Sequence, residues 1–576
     1  MNKTLLKSVR EFKKPALATP LFMIGEVAME VAIPTLMATV IDNGVMQKDM
    51  RYLTHTSIVL IAAAMLSLLF GVLGGIMASK ASCGFAKNLR HDLFYKMQDF
   101  SFHNIDKFST SSLITRMTTD VQNVQNAFQM VIRICFRAPL MFIFALAMVV
   151  RNGGRLILVF AVAVPVITIG MGIIMRKVYP AFTRAFKSYD KLNNVVEENV
   201  TGIRAVKAYV READEEKRFA KANDMIHDNF VFGQKLTSLT SPLMMGTTYA
   251  SMLAISWFGA HSIVSGAMTT GQLMSVISYT MQILMSLMMI SMIVIMLAIS
   301  RASAQRISEV LETQTDMDTN EQGEQTVADG SIDFDHVNFS YNGKNDTLCL
   351  HDITMHVSSG ETIGILGNTG CGKSTLVSLI ARLYDTTDGA VKVGGKDVRQ
   401  YALHSLRAEV SMVLQKNQLF SGTIAENLRW SKPDASDAEI KEACAIAQAN
   451  EFIDPLPDGL QTHVEQGGAN FSGGQKQRLC IARAILKKPR VVIFDDSTSA
   501  VDTSTDRKIK EALKAYAPET TKVIISQRIS SVADADRIYI LQEGRIVDNG
   551  THEELLSRNE LYRSLYKTQN KEVEHA

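Results

Sequence analysis

The stretch Gly367–Thr375 reads GNTGCGKST and decides the fold of the second half of the chain. It fits the pattern G-x-x-x-x-G-K-[ST] at every fixed position. An apolar strand pattern, Thr362–Leu366, precedes it, and a helical pattern, Leu376–Leu383, follows it. A glycine-rich turn between a strand and a helix directs free backbone amides at phosphate oxygens. The sequence therefore predicts a phosphate-binding loop made of Gly367, Asn368, Thr369, Gly370, Cys371, Gly372, Lys373, Ser374 and Thr375.

Three side chains of this loop have individual roles. Lys373 is expected to bridge the β- and γ-phosphates of ATP, and the Ser374 hydroxyl is expected to bind Mg²⁺. Cys371 lies at the start of the predicted helix, where the local field activates thiols. We therefore expect Cys371 to react with maleimide unless ATP covers it.

The composition limits what else the chain can be. It has 576 residues, 47% of them hydrophobic, and a net charge of +2. A balance so close to neutral gives no indication of a nucleic-acid partner. The six cysteines are widely spaced without a C-x-x-C pair, which argues against a zinc site or a disulfide framework and indicates reduced thiols.

The first half of the chain is apolar enough to lie in a membrane. Six segments have the length that a bilayer requires, at residues 17–43, 55–79, 128–150, 156–175, 236–265 and 271–300. The long connections 80–127 and 176–235 are rich in Lys and Arg, which places them in the cytosol by the positive-inside rule. Both termini are then expected to be cytoplasmic.

The second half reads as a soluble domain. Residues 313–330 are polar, acidic and without periodicity, which is typical of a linker. From Ser331 onward, short apolar strands alternate with helices and predict a mainly parallel sheet. The expected fold class is an α-helical transmembrane domain, residues 1–312, followed by an α/β P-loop ATPase domain, residues 331–576.

Two further motifs follow the phosphate loop. FSGGQKQR occupies Phe471–Arg478, and VVIFDDSTSAVD occupies Val491–Asp502, with Asp495 and Asp496 at the end of a predicted buried strand. With these three motifs in order, the chain resembles an ABC transporter of the exporter type over essentially its whole length. The resemblance implies a half-transporter that binds ATP and Mg²⁺, lies in a bacterial inner or plasma membrane, and pairs with a second half-transporter.

The resemblance also implies roles for individual residues. Tyr341 matches the aromatic residue that stacks on adenine, although a Tyr after a strand is also a common edge residue. Gln415 matches the glutamine that senses Mg²⁺, although it could be ordinary surface, and Asp495 would hold Mg²⁺ through water together with Ser374. The signature residues Ser472, Gly473, Gly474 and Gln475 would bind the partner's ATP, and the D-loop residues Ser499, Ala500 and Asp502 would contact the opposite site.

Two departures from the family pattern lie beside the expected catalytic centre. Asp496 stands where a catalytic Glu is usual, and its carboxylate is one methylene shorter. Gln527 stands where a His is usual, and it cannot carry an imidazolium charge. The intact signature beside a weakened site favours one half of a heterodimeric exporter, in which the partner supplies the catalytic site. A homodimer with two impaired sites is the alternative.

Two cytosolic stretches, Phe102–Val121 and Glu197–Glu216, resemble the coupling helices of the family. Read without the resemblance, they are ordinary amphipathic helices with solvated charges.

The membrane half contains two features that bear on the substrate. Glu26 and Glu30 on the first span, and Arg133 and Arg137 on the third, fall at similar depths and could neutralise one another. If the carboxylates are free, they favour a cationic substrate. The sixth span carries a methionine stripe that includes Met281, Met285, Met288 and Met292, which predicts either helix packing or an adaptable apolar cavity.

The sequence therefore predicts ATP-driven export of hydrophobic or amphipathic small molecules, multidrug-like or lipid-like, across a lipid bilayer. The alternatives are a mainly regulatory ATP-binding subunit, a homodimeric lipid or peptide exporter, and a metal-chelate importer of exporter fold.

Overall fold

The computed structural model describes residues 3–342, 348–496 and 503–574. The chain forms two compact units, one of Met1–Gln98 with Thr110–Thr313 and the other of Asp99–Ser109 with Gln314–Ala576. The first expected coupling segment is therefore divided, because residues up to Ser109 belong to the second unit.

Helices form nearly all of the first unit. They are α1 (Lys3–Leu6), α2 (Lys13–Thr39), α3 (Met50–Gln98), α5 (Thr110–Thr115), α6 (Val121–Gly153), α7 (Ile157–Thr201), α8 (Ile203–Ala208), α9 (Glu212–Ser238), α10 (Thr240–Val264) and α11 (Thr270–Glu312), while α4 (Phe102–Lys107) belongs to the second unit. The two expected coupling stretches each contain a six-residue helix, α4 and α8, with breaks on either side.

Among the described residues, four helical stretches are long and apolar enough to cross a membrane: Thr4–Val45, Met50–Gln98, Thr110–Phe182 and Thr270–Ile290. The third stretch contains both the third and the fourth expected spans. Gly154, whose φ of +49° is left-handed, separates them and ends α6. The fifth expected span forms the helix α10 but is not among the four stretches, so its place in the bilayer stays a prediction.

The start of α11 is fastened to the end of the first span. Thr269 caps α11 in a reciprocal capping box with Gln272. The Asp42 carboxylate accepts hydrogen bonds from the Thr269 hydroxyl at 2.6 Å and from the Gly271 amide at 2.8 Å. A Cβ at Gly271 would lie 2.3 Å from the Ala38 carbonyl oxygen, so only glycine permits this close approach.

The second unit is an α/β domain. Its strands are β1 (Ile332–Phe339), β2 (Leu350–Val357), β3 (Thr362–Leu366), β4 (Asp388–Val393), β5 (Lys396–Asp397), β6 (Val410–Val413), β7 (Gly422–Thr423), β8 (His463–Val464), β9 (Val491–Asp495), β10 (Thr521–Ser526), β11 (Arg537–Gln542) and β12 (Arg545–Gly550). Its further helices are α12 (Lys373–Ile380), α13 (Leu403–Glu409), α14 (Ile424–Arg429), α15 (Asp437–Ile446), α16 (Asn450–Ile453), α17 (Gly473–Leu486), α18 (Thr503–Tyr516), α19 (His552–Arg558) and α20 (Glu560–Glu574).

The main sheet has the strand order β12-β11-β3-β10-β9-β6. From β11 to β6 neighbouring strands are parallel, and β12 is antiparallel to β11. The carboxyl ends of β3, β10, β9 and β6 therefore meet at one edge, where ligands bind in folds of this kind. A separate antiparallel sheet, β2-β1-β4-β5, is not predicted by the alternating pattern.

Two boundaries differ from the sequence prediction. The strand before the phosphate loop is β3 as expected, but α12 begins at Lys373 and ends at Ile380, earlier than the predicted Leu376–Leu383. The helix starts inside the motif because Gly372, at φ +101°, is its N-cap. The expected linker also packs on the second unit, since Met317 and Val327 are buried and Asn320 donates to the Arg399 carbonyl at 3.1 Å.

Candidate functional site

The phosphate loop lies between β3 and α12 with its backbone held in place by glycines. Gly370 and Gly372 have φ values of +81° and +101°, which side chains disfavour. A Cβ at Gly367 would lie 2.3 Å from the Leu541 carbonyl oxygen and 2.6 Å from the Cys371 sulfur. A Cβ at Gly370 would meet open space, so the loop is crowded behind and open in front. This shape fits a backbone cradle for phosphate groups.

Lys373 is buried against this cradle. Its Nζ donates hydrogen bonds to the carbonyls of Gly367 at 2.7 Å and Asn368 at 2.8 Å, and lies 3.8 Å from the Cys371 sulfur. The Cys371 side chain is only 8% exposed. The expectation of a maleimide-accessible thiol is therefore wrong for this conformation, because the sulfur is packed into the loop rather than presented to solvent.

Ser374 and Asp495 meet as the metal-binding prediction requires. The Ser374 Oγ donates to the Asp495 Oδ1 at 3.0 Å, which joins the first turn of α12 to the end of β9. Burial raises the pKa of the Asp495 carboxyl, the Ser374 hydrogen bond lowers it, and the neighbouring Asp496 raises it again. A hydroxyl and a buried carboxylate are ligands that suit Mg²⁺. Mg²⁺ bound here with ATP would supply charge neutralisation at the phosphates.

Asp496 has an unusual backbone. Its φ is +46°, and its amide donates to the Ile525 carbonyl of the neighbouring strand β10 at 3.1 Å. Aspartate tolerates the left-handed region better than most residues. Burial raises the pKa of the Asp496 carboxyl, while Lys373 and Arg528 lower it. The residue thus lies beside the phosphate loop with its backbone fixed by β10.

The other two expected catalytic residues lie at the same sheet edge. Gln527 follows β10 directly and is exposed, and its carbonyl accepts a hydrogen bond from Gln569 of α20 at 2.9 Å. Gln415 is exposed two residues beyond β6, the strand that pairs with β9. Among the described residues, neither side chain has a hydrogen bond to the phosphate loop, but both follow strands that end at the same sheet edge.

Tyr341 belongs to an aromatic group that the sequence did not reveal. Its hydroxyl lies 2.9 Å from the Thr375 Oγ1, and its ring packs edge-on against Tyr384 at 5.2 Å between centroids. Tyr384 also approaches Phe102 of α4, with centroids 6.0 Å apart. The Tyr384 hydroxyl donates to the Asp106 carboxylate at 2.6 Å. The expected adenine-stacking residue is therefore linked through Tyr384 to α4, the short helix of the first expected coupling stretch.

The signature residues form the start of α17. The Ser472 Oγ accepts from the Gln475 amide at 3.3 Å, and the Gln475 Oε1 accepts from the Ser472 amide at 2.9 Å. This capping box leads into the helix Gly473–Leu486 and fixes Gly473 and Gly474 at its N-terminus, where positive field favours anions. The D-loop residues Ser499, Ala500 and Asp502 lie outside the described residues.

Three of the four charged residues in the membrane helices, Glu26, Glu30 and Arg137, contact one another, and Arg133 does not join them. The Arg137 Nη2 lies 2.9 Å from the Glu30 Oε2 and 3.5 Å from the Glu26 Oε1. Gln282 of α11 donates to the Glu30 carbonyl at 3.4 Å. Arg133 makes no ion pair among the described residues. Mutual neutralisation is therefore partial, since one guanidinium serves two carboxylates.

The methionine stripe is exposed rather than packed within the chain. Met281, Met285, Met288 and Met292 of α11 are 43%, 56%, 47% and 64% exposed. A separate cavity of about 1230 Å³ lies beside the α6–α7 turn, and its lining includes Arg151, Arg155 and His261.

Comparison with known proteins agrees with this architecture. A family model described as ABC transporter transmembrane region matches residues 17–311, and one described as ABC transporter matches residues 350–499. An uncharacterised ABC transporter ATP-binding protein of Bacillus subtilis is 38% identical over 95% of each chain. A fatty acid ABC transporter ATP-binding/permease protein of Mycobacterium bovis is 33% identical over 82% of this chain and 75% of its own length.

A solved structure shares the whole fold. It is that of a bacterial Atm1-family ABC exporter with ATP bound, with a TM-score of 0.82, 24% identity, and coverage of 97% of this chain and 98% of the other. The two family models and the solved structure all match this chain in both its membrane region and its ATPase domain. This chain therefore belongs to the ABC transporter family, as a half-transporter whose membrane region is fused to an ATPase domain that couples ATP hydrolysis to transport.

Proposed function

We propose that this chain is one half of a heterodimeric exporter of hydrophobic or amphipathic small molecules, and that its own ATP site is degenerate. The observation that carries the proposal is the pair Asp496 and Gln527 at the ends of the adjacent strands β9 and β10. Asp496 has a short carboxylate on a left-handed backbone, and Gln527 is neutral. Asp496 therefore lacks the reach, and Gln527 lacks the charge, that the usual Glu and His bring to this site.

The signature half of the chain supports a role in the partner's site. Ser472 and Gln475 are locked by their capping box, so the amide-rich start of α17 is preformed for an anion. The proposed complex thus has one site that holds ATP and one that hydrolyses it. In this proposal the complex lies in a bacterial inner or plasma membrane, with both termini cytoplasmic.

Two substitutions compare how much each of the two ATP sites contributes to ATP hydrolysis. Asp496→Asn is expected to leave about half or more of the ATPase activity of the complex, because that carboxylate contributes little turnover. Gly474→Asp is expected to reduce activity by about tenfold or more, because it places a carboxylate against the partner's phosphates. Activity is measured on the complex recovered from its own membrane through this chain.

Gly474→Ala is the matched control, since it adds a methyl group without charge and is expected to cost less activity than Gly474→Asp. The decisive comparison is between the activities of Asp496→Asn and Gly474→Asp. If Asp496→Asn removes as much activity as Gly474→Asp, this chain's own site is a working one and the degenerate-site proposal fails.

A further inference from the structure

The charges that contact one another in the membrane helices do not balance. Within the apolar parts of α2, α3, α6 and α11, the ionisable residues are Glu26, Glu30, Arg133 and Arg137. Arg137 is the guanidinium that contacts the carboxylates, and it contacts both. The ion-paired group Glu26, Glu30 and Arg137 therefore carries an excess of one negative charge, which a cation bound beside it would compensate. Arg133 balances this charge over the four residues as a set but makes no ion pair with the group among the described residues.

The same group contains hydrogen-bond acceptors without partners. The Glu26 Oε2 and the Gln282 Oε1 are buried acceptors that have no hydrogen-bond donor among the described residues, and the Arg137 Nε is a buried donor without an acceptor there. Glu26 as a whole is 9% exposed. Buried polar atoms are nearly always paired in native proteins. The two acceptors outnumber the one donor, so the cluster has room for at least one further donor.

The structure also leaves room for the carboxylate. A Cβ at Gly71 of α3 would lie 3.3 Å from both the Glu26 Cδ and its Oε1, so a larger residue there would press on the acid. The Glu30 and Arg137 side chains are 33% and 26% exposed, which makes them the open side of the cluster. A ligand would meet Glu30 first, with Glu26 behind it.

An apolar surface begins next to this open side. The exposed residues Met281, Met285, Met288 and Met292 lie about a quarter turn around α11 from Gln282. Unbranched thioether side chains adapt to alkyl groups of varied shape. The carboxylates of Glu26 and Glu30 and the exposed methionines together match a molecule with a cationic head and an apolar tail.

We propose that Glu26, Glu30 and Gln282 form the recognition site for a protonated amine carried by an amphipathic substrate. An N–H-bearing ammonium supplies both a positive charge for the ion-paired group and a further donor. A quaternary ammonium supplies the charge alone, and a carboxylate supplies neither. This inference rests on the proposed export function and specifies the substrate class.

The test compares three twelve-carbon probes on the native complex in lipid nanodiscs: dodecylammonium, dodecyltrimethylammonium and dodecanoate. The measured quantity is the probe concentration that half-maximally stimulates ATP hydrolysis. We expect dodecylammonium to act at the lowest concentration and dodecanoate at the highest. Glu26→Gln keeps the side-chain shape and removes the charge, so it is expected to raise the dodecylammonium concentration by about tenfold or more.

Arg137→Gln and Arg133→Gln form a matched pair, because each removes one positive charge from α6. Arg137→Gln releases both carboxylates and is expected to favour dodecylammonium more than Arg133→Gln does. Nucleotide binding by each variant verifies that the complex is folded, and Glu26→Gln alone decides the matter if Arg137→Gln does not assemble.

Three results would overturn the inference. Equal responses to dodecylammonium in the parent complex and Glu26→Gln would show that the acid does not select the substrate. A preference for dodecanoate would direct attention to the cavity with Arg151, Arg155 and His261 instead. If the activity depends on pH, shows no amine selectivity, and loses its pH dependence in Glu26→Gln, the cluster binds a proton rather than an amine. In each case continued ATP-dependent transport of another amphiphile would leave the proposed export function standing.

Discussion

Opposing influences act on the carboxyl of Asp495. Burial raises its pKa from the ordinary value of 3.8, the Ser374 hydrogen bond and Lys373 lower it, and Asp496 raises it, with an upward net result. A carboxyl whose pKa is raised by folding binds protons more tightly in the folded state. Its favourable contribution is therefore present below pH 3.8 and is lost as pH rises through the raised folded-state pKa.

Asp495→Asn is expected to remove this loss. The neutral amide avoids the buried charge, so the nucleotide-free complex should lose less thermal stability than the parent over the range of pH above 3.8 in which the Asp495 carboxyl ionises. Thermal unfolding followed across that range measures the difference. Because Asn cannot replace the carboxylate toward Mg²⁺, the gain in stability should accompany weaker Mg-ATP binding. Parallel pH profiles for parent and variant would contradict the cause assigned to the shift.

The residues that local motifs specify are predictable from sequence, and those set by distant contacts are not. Ser374 and Asp495 can be assigned to one site because each belongs to a motif with a fixed place on its strand or helix. The link from Arg137 to both Glu26 and Glu30 is one possibility among several, since helix periodicity gives a face and a depth but not the neighbouring helix. No sequence pattern indicates that Asp496 has a positive φ.

At the scale of elements, the short helix α4 is joined to the ATPase unit by specific contacts. Ser101 caps the helix, and the Tyr384 hydroxyl donates to Asp106. Burial, followed by the Asp106 contact, raises the pKa of Tyr384, so the hydroxyl stays protonated and remains a donor. Sequence could not predict this contact, because the two residues lie 278 positions apart.

Tyr384→Phe is expected to separate ATP binding from coupling. The ring and its packing against Tyr341 remain, while the hydrogen bond to Asp106 is lost. ATP affinity should stay close to that of the parent. Substrate stimulation of ATP hydrolysis should fall by about twofold to tenfold, since a typical hydrogen bond contributes about 0.5–1.5 kcal/mol net. Asp106→Asn keeps an acceptor and is expected to have the smaller effect. A Tyr384→Phe complex with unchanged stimulation would exclude this contact from coupling.

The last helix, α20, holds the segment that contains Gln527. The Gln569 Nε2 donates to the Gln527 carbonyl at 2.9 Å, and the Gln569 Oε1 accepts from the Ile529 amide at 2.8 Å. Gln569→Leu removes both bonds, at about 1 kcal/mol each, and is expected to speed hydrogen exchange at the Ile529 amide. Gln569→Glu retains the acceptor for Ile529, so its exchange should lie closer to that of the parent. Identical exchange in all three would show that α20 does not restrain this segment.

The prediction at the scale of the whole molecule concerns the pair of ATP sites in the proposed heterodimer. Photolabelling with an azido-ATP in the presence of vanadate is expected to trap nucleotide on the partner chain. This chain should be labelled without vanadate, as a site that binds ATP without turning it over. Vanadate-dependent trapping on both chains to equal extents would contradict the asymmetry.

The assignment of Asp99–Ser109 to the ATPase unit has a practical consequence for dissecting the protein. If the chain is cut between Thr313 and Gln314, α4 stays on the N-terminal fragment although it belongs to the ATPase unit. The ATPase fragment alone would then expose the part of Tyr384 that Phe102 of α4 contacts, and the Tyr384 hydroxyl would lose its acceptor. Coexpressed fragments should instead reassociate through α4, as a split protein complements itself.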